Sequence, residues 1–224
     1  MDTKVQGIVI NTTDYKEADK IASIFSLENG KIYAKFNGVK KEKAKLKSIA
    51  QPFVFAEFNI NSKGRTNTIT SASVIDSFPN ILSNYNKMMC GFIMLDIIRT
   101  ILPDEKSERE LFLLLLASLK NVEEKDEYIY TIDFILKFIS FSGLGLKFSH
   151  SSKIYIDKTS GDFEPKKNLN SIEIDKKVYT IIKNVNEENY DFEYNELTIK
   201  QALRLLHNIL FAKFNEDIKA FQYI

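Results

Sequence analysis

The sequence predicts an α+β chain: an N-terminal five-stranded antiparallel barrel followed by a mainly helical C-terminal domain. Three observations carry this reading. Up to about residue 80 the apolar residues fall in short period-2 segments separated by turn signals, and beyond it they fall in long segments of helical period. No long helix interrupts the five strand segments, which favours a small closed barrel over a sheet with crossover helices. The chain has 224 residues, 44% of them apolar, which suits one large domain or two small ones and excludes a disordered chain.

The strand segments are Thr3–Asn11, Lys20–Leu27, Lys31–Asn37, Pro52–Ile60 and Asn67–Ile75. Turn chemistry separates them at Asn11-Thr12-Thr13-Asp14, Glu28-Asn29-Gly30 and Asn61-Ser62-Lys63-Gly64. The Asn29-Gly30 step is the sharpest, because glycine takes positive φ without steric cost. Lys31–Asn37 alternates cleanly, with Ile32, Ala34 and Phe36 on one face and Lys31, Tyr33, Lys35 and Asn37 on the other. Five such strands in a short span make an OB-fold the leading architecture.

The helical part begins with Asn84–Leu102, apolar nearly all round and ended by Pro103. Ser107 and Glu110 have capping-box spacing and open a second helix through about Val122. Glu127–Ser142 is a third, stopped by Gly143 and Gly145, and Ser171–Val185 and Leu197–Phe214 supply two more. Between them lies a polar, turn-rich stretch with a strand-like Lys153–Asp157. The expected organisation is an OB-fold domain over 1–80 and a helical domain over 81–224, with a small insert near 148–168.

One cysteine, Cys90, closes no intrachain disulfide and forms no CxxC zinc site, so a reduced, cytoplasmic protein is expected. Its apolar neighbours make it a core residue. The N-terminus has no apolar h-region, and the longest uncharged apolar runs fall well short of the ~18 residues of a membrane span. A soluble protein without membrane partners is expected. No P-loop, dinucleotide fingerprint, GxSxG or HExxH occurs, and no catalytic residue or cofactor is assigned.

Charge carries the functional signal. The chain is nearly neutral, with 31 basic and 30 acidic residues, yet residues 31–65 hold nine bases against two acids. A basic patch on a small barrel suits a polyanion. Lys31, Lys35, Lys40, Lys41, Lys43, Lys45, Lys47 and Arg65 are the candidate nucleic-acid contacts, through phosphate neutralisation. Tyr33 shares a strand face with Lys31 and Lys35 and offers a stacking surface. A solvated lysine loop and ordinary strand packing of Tyr33 are the competing readings. Asp14, Glu17 and Asp19 place three carboxylates in six residues; a turn with Asp14 capping a short helical segment is preferred to a metal-dependent nuclease site. Asp157–Asp162 reads as a β-turn rather than a calcium loop.

Several segments in order resemble the RecO family of bacterial recombination mediators. They are Asp14-Tyr15-Lys16-Glu17-Ala18-Asp19-Lys20, then Gly30-Lys31-Ile32, then Asn37-Gly38-Val39-Lys40-Lys41 running into Gln51-Pro52-Phe53, then Ser77-Phe78-Pro79, and Pro103 with Glu110-Leu111-Phe112. The resemblance implies an OB-fold, a helical domain and a non-enzymatic role in gap repair. That role comprises binding single- and double-stranded DNA, annealing complementary strands and helping RecA load on SSB-coated DNA. It implies RecR and the acidic, apolar C-terminal tail of SSB as partners, and a cytoplasmic, nucleoid-associated location. By similarity, Lys40 and Lys41 match the paired basic residues after the family's loop glycine, here Gly38. For the SSB tail, Lys200 and Arg204 share a helix face at i, i+4 beside Leu203 and are candidates, with plain surface residues as the alternative. Many members carry a four-cysteine zinc module after the third helix; Phe148-Ser149-His150-Ser151-Ser152 stands there instead, and no bound zinc is expected. A protein-interaction adaptor, its barrel binding a protein rather than DNA, is the alternative function.

Overall fold

The computed structural model describes residues 2–63, 66–104, 106–149 and 151–224. Five strands open the chain: β1 (Asp2–Tyr15), β2 (Asp19–Ser26), β3 (Gly30–Phe36), β4 (Phe55–Lys63) and β5 (Thr66–Asp76). They form a closed barrel in the order β1-β2-β3-β5-β4. Four neighbouring pairs are antiparallel, and the fifth, β3 with β5, is parallel, with Lys35 opposite Thr68. The expectation of antiparallel pairing throughout is corrected by parity: direction cannot alternate all the way round a ring with an odd number of strands.

β1 is long enough to serve two neighbours. Its first half, Asp2–Ile8, pairs with β4, and Gly7–Tyr15 pairs with β2 across a bulge between Val9 and Asn11. The barrel is filled by alternate residues, among them Val5, Val9, Ile24, Ile32, Phe36, Phe58, Ile60 and Ile69. Phe36 and Phe58 meet edge-on at 6.3 Å between centroids. The turn before β3 follows its sequence signal: Gly30 sits at φ 68°, and a Cβ there would lie 2.0 Å from the Lys106 carbonyl oxygen, so only glycine fits.

By contact the chain divides into two compact units. One comprises 1–79 with 95–116, and the other 80–94 with 117–224. The helices are α1 (Pro79–Ser83), α2 (Tyr85–Ile101), α3 (Arg109–Glu124), α4 (Glu127–Phe141), α5 (Lys176–Asn186) and α6 (Glu196–Phe214), followed by a 3₁₀ turn over Lys219–Tyr223. In the barrel's own unit, Phe112 packs against Phe25 and Phe55 with centroids 5.7 and 5.9 Å away. α3 begins at Arg109, one residue later than the Ser107-Glu110 spacing predicts. None of the helices is long and apolar enough to cross a membrane among the described residues.

In the second unit, α4, α5 and α6 pack together, with Phe138 5.6 Å from Phe214. α4 is capped by Asp126, whose carboxylate accepts the Tyr128 and Ile129 N–H groups. Cys90 is fully buried there, and burial pushes its thiol up to about 12, so it stays an inert core residue.

The helix expected over Ser171–Val185 starts late. Asp175 accepts the N–H groups of Lys177 and Val178 and so fixes the helix start at Lys176. Ser171–Glu173 are thereby free to be strand β8, which joins β6 (Tyr155–Asp157) and β7 (Phe163–Glu164) in a sheet ordered β7-β6-β8. The β6–β7 turn is built as its sequence suggests, with Asp157 accepting the N–H groups of Thr159 and Ser160.

Phe148, Phe163 and Tyr179 form an aromatic cluster in this unit, with centroids 5.0 to 5.9 Å apart. The Tyr179 hydroxyl accepts from the Ser149 N–H at 2.7 Å and donates to the Ser149 carbonyl at 2.6 Å. The residues of this segment do not fit a four-cysteine zinc site: the chain's single thiol is Cys90 in α2, and His150 lies outside the described residues. Tyr179→Phe, which keeps the ring and removes both bonds, is expected to lower unfolding free energy by about 1–2 kcal/mol. Urea denaturation checks this, and an unchanged midpoint would show that the ring alone anchors Ser149.

Candidate nucleic-acid interface

The basic segment between β3 and β4 is an anchored lid rather than a loose loop. Gly38, at φ 63°, turns the chain, and its N–H donates to Asp19 Oδ1 at 2.7 Å. The Lys40 N–H donates to the Ala18 carbonyl at 2.9 Å, so the root of the segment is tied to the β1–β2 turn. Successive three-residue turns follow, closed by the Lys41 N–H on the Gly38 carbonyl, Ala44 on Lys41, Lys47 on Ala44 and Ile49 on Leu46. Val39, Ile49, Ala50 and Val54 enter the barrel core with Leu46 packed against it. Phe53 is fully buried at φ 70° and donates to the Val9 carbonyl, while Val9 donates back to Val54 beside the β1 bulge.

With the apolar residues turned inward, the lysines are turned out. Lys40, Lys41, Lys43, Lys45 and Lys47 are all exposed. Lys40 Nζ lies 2.8 Å from Asp14 Oδ2, and the other four have no ion-pair partner among the described residues. Lys35 is half-buried and lies 2.8 Å from Asp19 Oδ2. The Lys40 ammonium holds the Asp14 carboxyl below the usual carboxylate range. The Gly38 N–H, with Lys35, does the same for Asp19.

Two sequence candidates are placed differently. Lys31 is only 5% exposed. Its ammonium donates to the carbonyls of Arg99 and Leu102, each at 2.7 Å, and lies 3.0 Å from Asp104. It therefore closes the C-terminal end of α2, where carbonyls lack helical partners, and is covered there rather than presented to solvent. Strand alternation put it outside correctly, but residues 99–104 cover that stretch of the outer face. Tyr33 keeps an exposed ring, and its hydroxyl donates to Asp104 at 3.3 Å. Its hydroxyl is thus engaged by a carboxylate that also pairs with Lys31. Arg65 lies outside the described residues.

The expected helical turn capped by Asp14 is a strand end instead. β1 runs through Tyr15, which pairs with Asp19, so Asp14 lies opposite Lys20 with its side chain on Lys40. The carboxylates Asp14 and Asp19 are engaged by lysines, and no group of three His, Cys, Asp or Glu residues suited to a metal occurs among the described residues. In the second unit, Lys200 pairs with Glu196 at 2.8 Å and lies 5.8 Å from the Tyr128 ring. Arg204 donates to the Ile224 carbonyl at 2.7 Å. Neither lines the groove of about 890 Å³ bordered by Lys176, Lys177, Ile181, Phe192, Tyr194 and Thr198.

Sequence reasoning passed over Tyr15. Tyr15 is 39% exposed, and the ammonium groups of Lys16 and Lys35 each lie 5.4 Å from its ring centroid. The available signal was an aromatic residue inside the turn, beside Lys16.

Asp14 is a built-in competitor for Lys40. Asp14→Asn keeps the side-chain size and removes the charge, and is expected to tighten single-stranded DNA binding about two- to threefold at low salt. Titration by fluorescence anisotropy reads this. Equal or weaker binding would place Lys40 outside the contact surface.

Comparison with known proteins agrees with this architecture. The family described as "Recombination protein O N terminal" matches residues 1–78, and "Recombination protein O C terminal" matches residues 82–219. A "DNA repair protein RecO" of Clostridium novyi is 33% identical over 148 residues, 65% of this chain and 57% of that protein. Its namesake in Bacillus pumilus is 29% identical over 160 residues, 71% of this chain and 62% of that protein. One in Clostridium kluyveri is 30% identical over 149 residues, 66% of this chain and 58% of that protein. The chain thus spans less than two thirds of the length of each of these relatives. Two family domains in order along one chain, the first on a closed five-stranded barrel, show that it belongs to the Recombination protein O (RecO) family.

Proposed function

We propose that this protein is a non-catalytic DNA-binding mediator of recombinational gap repair. The observation that carries the reading is the anchored lid, which presents Lys40, Lys41, Lys43, Lys45 and Lys47 on one exposed segment while its apolar residues lock into the barrel. Lysines held on a fixed frame neutralise successive phosphates without ordering a loose loop at the moment of binding. Nothing in a row of ammonium groups reads base identity, so binding is independent of sequence and extends to single and double strands. Two strands with neutralised backbones repel each other less, and annealing of complementary strands follows from that. The second unit serves partner proteins: RecR, and the acidic, apolar C-terminal tail of SSB, through which RecA loads on coated strands. Lys200 and Arg204 are the proposed contacts for that tail. The protein acts in the cytoplasm at the nucleoid.

The test is fluorescence anisotropy of a labelled single-stranded oligonucleotide titrated with the protein at two salt concentrations. Tight binding that weakens steeply with salt is expected. Absence of binding at low salt overturns the reading and favours the adaptor, whose barrel binds a protein.

A further inference from the structure

We infer that Tyr15 is a base-stacking residue of the DNA-binding surface, so that the site grips bases as well as phosphates. This rests on the DNA-binding reading above and adds a contact to it.

The argument starts from position. Tyr15 ends β1 at the β1–β2 turn, opposite Asp19. That turn is where the basic lid is rooted, through the Gly38 N–H on Asp19 and the Lys40 N–H on the Ala18 carbonyl. The next residue back, Asp14, holds the Lys40 ammonium at 2.8 Å. A strand whose phosphates run along the lid therefore begins beside this ring.

Charge makes the ring distinctive. Among the described residues, exposed aromatics elsewhere on the barrel's unit include Tyr33, which faces Asp104. Tyr15 instead has two ammonium groups, Lys16 and Lys35, each 5.4 Å from its centroid. Exposed cation–π contacts of this kind are weaker than stacking of a base on an aromatic ring. A base can displace the exposed Lys16 side chain from the ring, which then turns to a flanking phosphate, while Lys35 stays on Asp19 at the ring's edge. Single-stranded DNA binders recur to this pairing of stacking platform and backbone neutralisation, because every base has a π-face and every nucleotide a charge. Duplex DNA keeps its bases stacked inside, so the contact favours single strands.

The chain contains no tryptophan, so Tyr15→Trp creates a single reporter. Its fluorescence is titrated with a thymidine oligonucleotide and with an abasic oligonucleotide of the same length, and anisotropy gives affinities for Tyr15→Leu and Tyr15→Phe. Expected are quenching by the thymidine strand only, affinity of Tyr15→Phe within about twofold of wild type, and binding of Tyr15→Leu to thymidine about tenfold weaker. Binding of Tyr15→Leu to the abasic strand should be unchanged. Wild-type affinity of Tyr15→Leu for thymidine overturns the inference. An equal loss on both strands also overturns it, because the residue would then act through the backbone or the fold. Failure of the wild-type protein to bind either strand overturns the DNA-binding reading itself, and this inference with it.

Discussion

Replacing Lys40, Lys41, Lys43 and Lys45 together with glutamate is expected to weaken single-stranded DNA binding by at least about a hundredfold near 0.1 M salt. Each lysine that neutralises a phosphate releases about 0.7 counterion from a single strand, so losing four contacts lowers the slope of log affinity against log salt by about three. Charge reversal goes further than removal, because four carboxylates then face the phosphates. All four side chains are exposed, and only Lys40 has an ion-pair partner among the described residues, Asp14. Exposed pairs contribute about 0–1 kcal/mol, so the thermal midpoint should move by only a few degrees. The measurement is anisotropy at several salt concentrations beside a melting curve by circular dichroism. Undiminished DNA affinity in a folded variant would mean that the lysines are only solvated and that the barrel serves another partner.

Lys31→Met should do the opposite: cost about 3 kcal/mol of stability and leave the DNA affinity of the folded protein within about twofold. Methionine fills the volume of the lysine stem but has no donor. The carbonyls of Arg99 and Leu102 then lose bonds of 2.7 Å, and Asp104 loses its cation at 3.0 Å. Helix-end carbonyls covered by protein cannot recover those bonds from water, and the negative end of the helix dipole loses its neutralising charge. Asp104 is half-exposed and is rehydrated, which keeps the loss below that of a wholly buried pair. Urea denaturation gives the stability, and DNA titration well below the midpoint gives the affinity. A stability change under about 1 kcal/mol, or a selective loss of DNA binding, would return Lys31 to the phosphate-binding set.

The barrel was legible because strand alternation is a local property. Ile32, Ala34 and Phe36 are buried as their spacing requires, and Asn29-Gly30 marks a turn whose glycine has φ 68°. Each such feature is a contest between a side chain and its immediate backbone, decided within a few residues. Misplaced elements were those where two local signals overlap. Ser171–Glu173 carries a helical apolar spacing, yet the Asp175 cap starts the helix beyond it, and β6 takes the freed segment. The parallel closing pair follows from the number of strands in the ring, which no single segment records.

For the site, the charge and its address were readable from the chain alone: one lysine-rich segment between the third and fourth strands. Tertiary structure decided which of those charges meet solvent. Lys31 and Lys35 alternate onto the same strand face, yet one is covered by residues 99–104 and the other stands beside Tyr15. The pairing of Lys40 with Asp14 likewise joins the end of β1 to the segment between β3 and β4. The physical reason is that charge and periodicity belong to each residue and its neighbours, whereas solvation belongs to whatever the folded chain brings alongside, here from some seventy residues away.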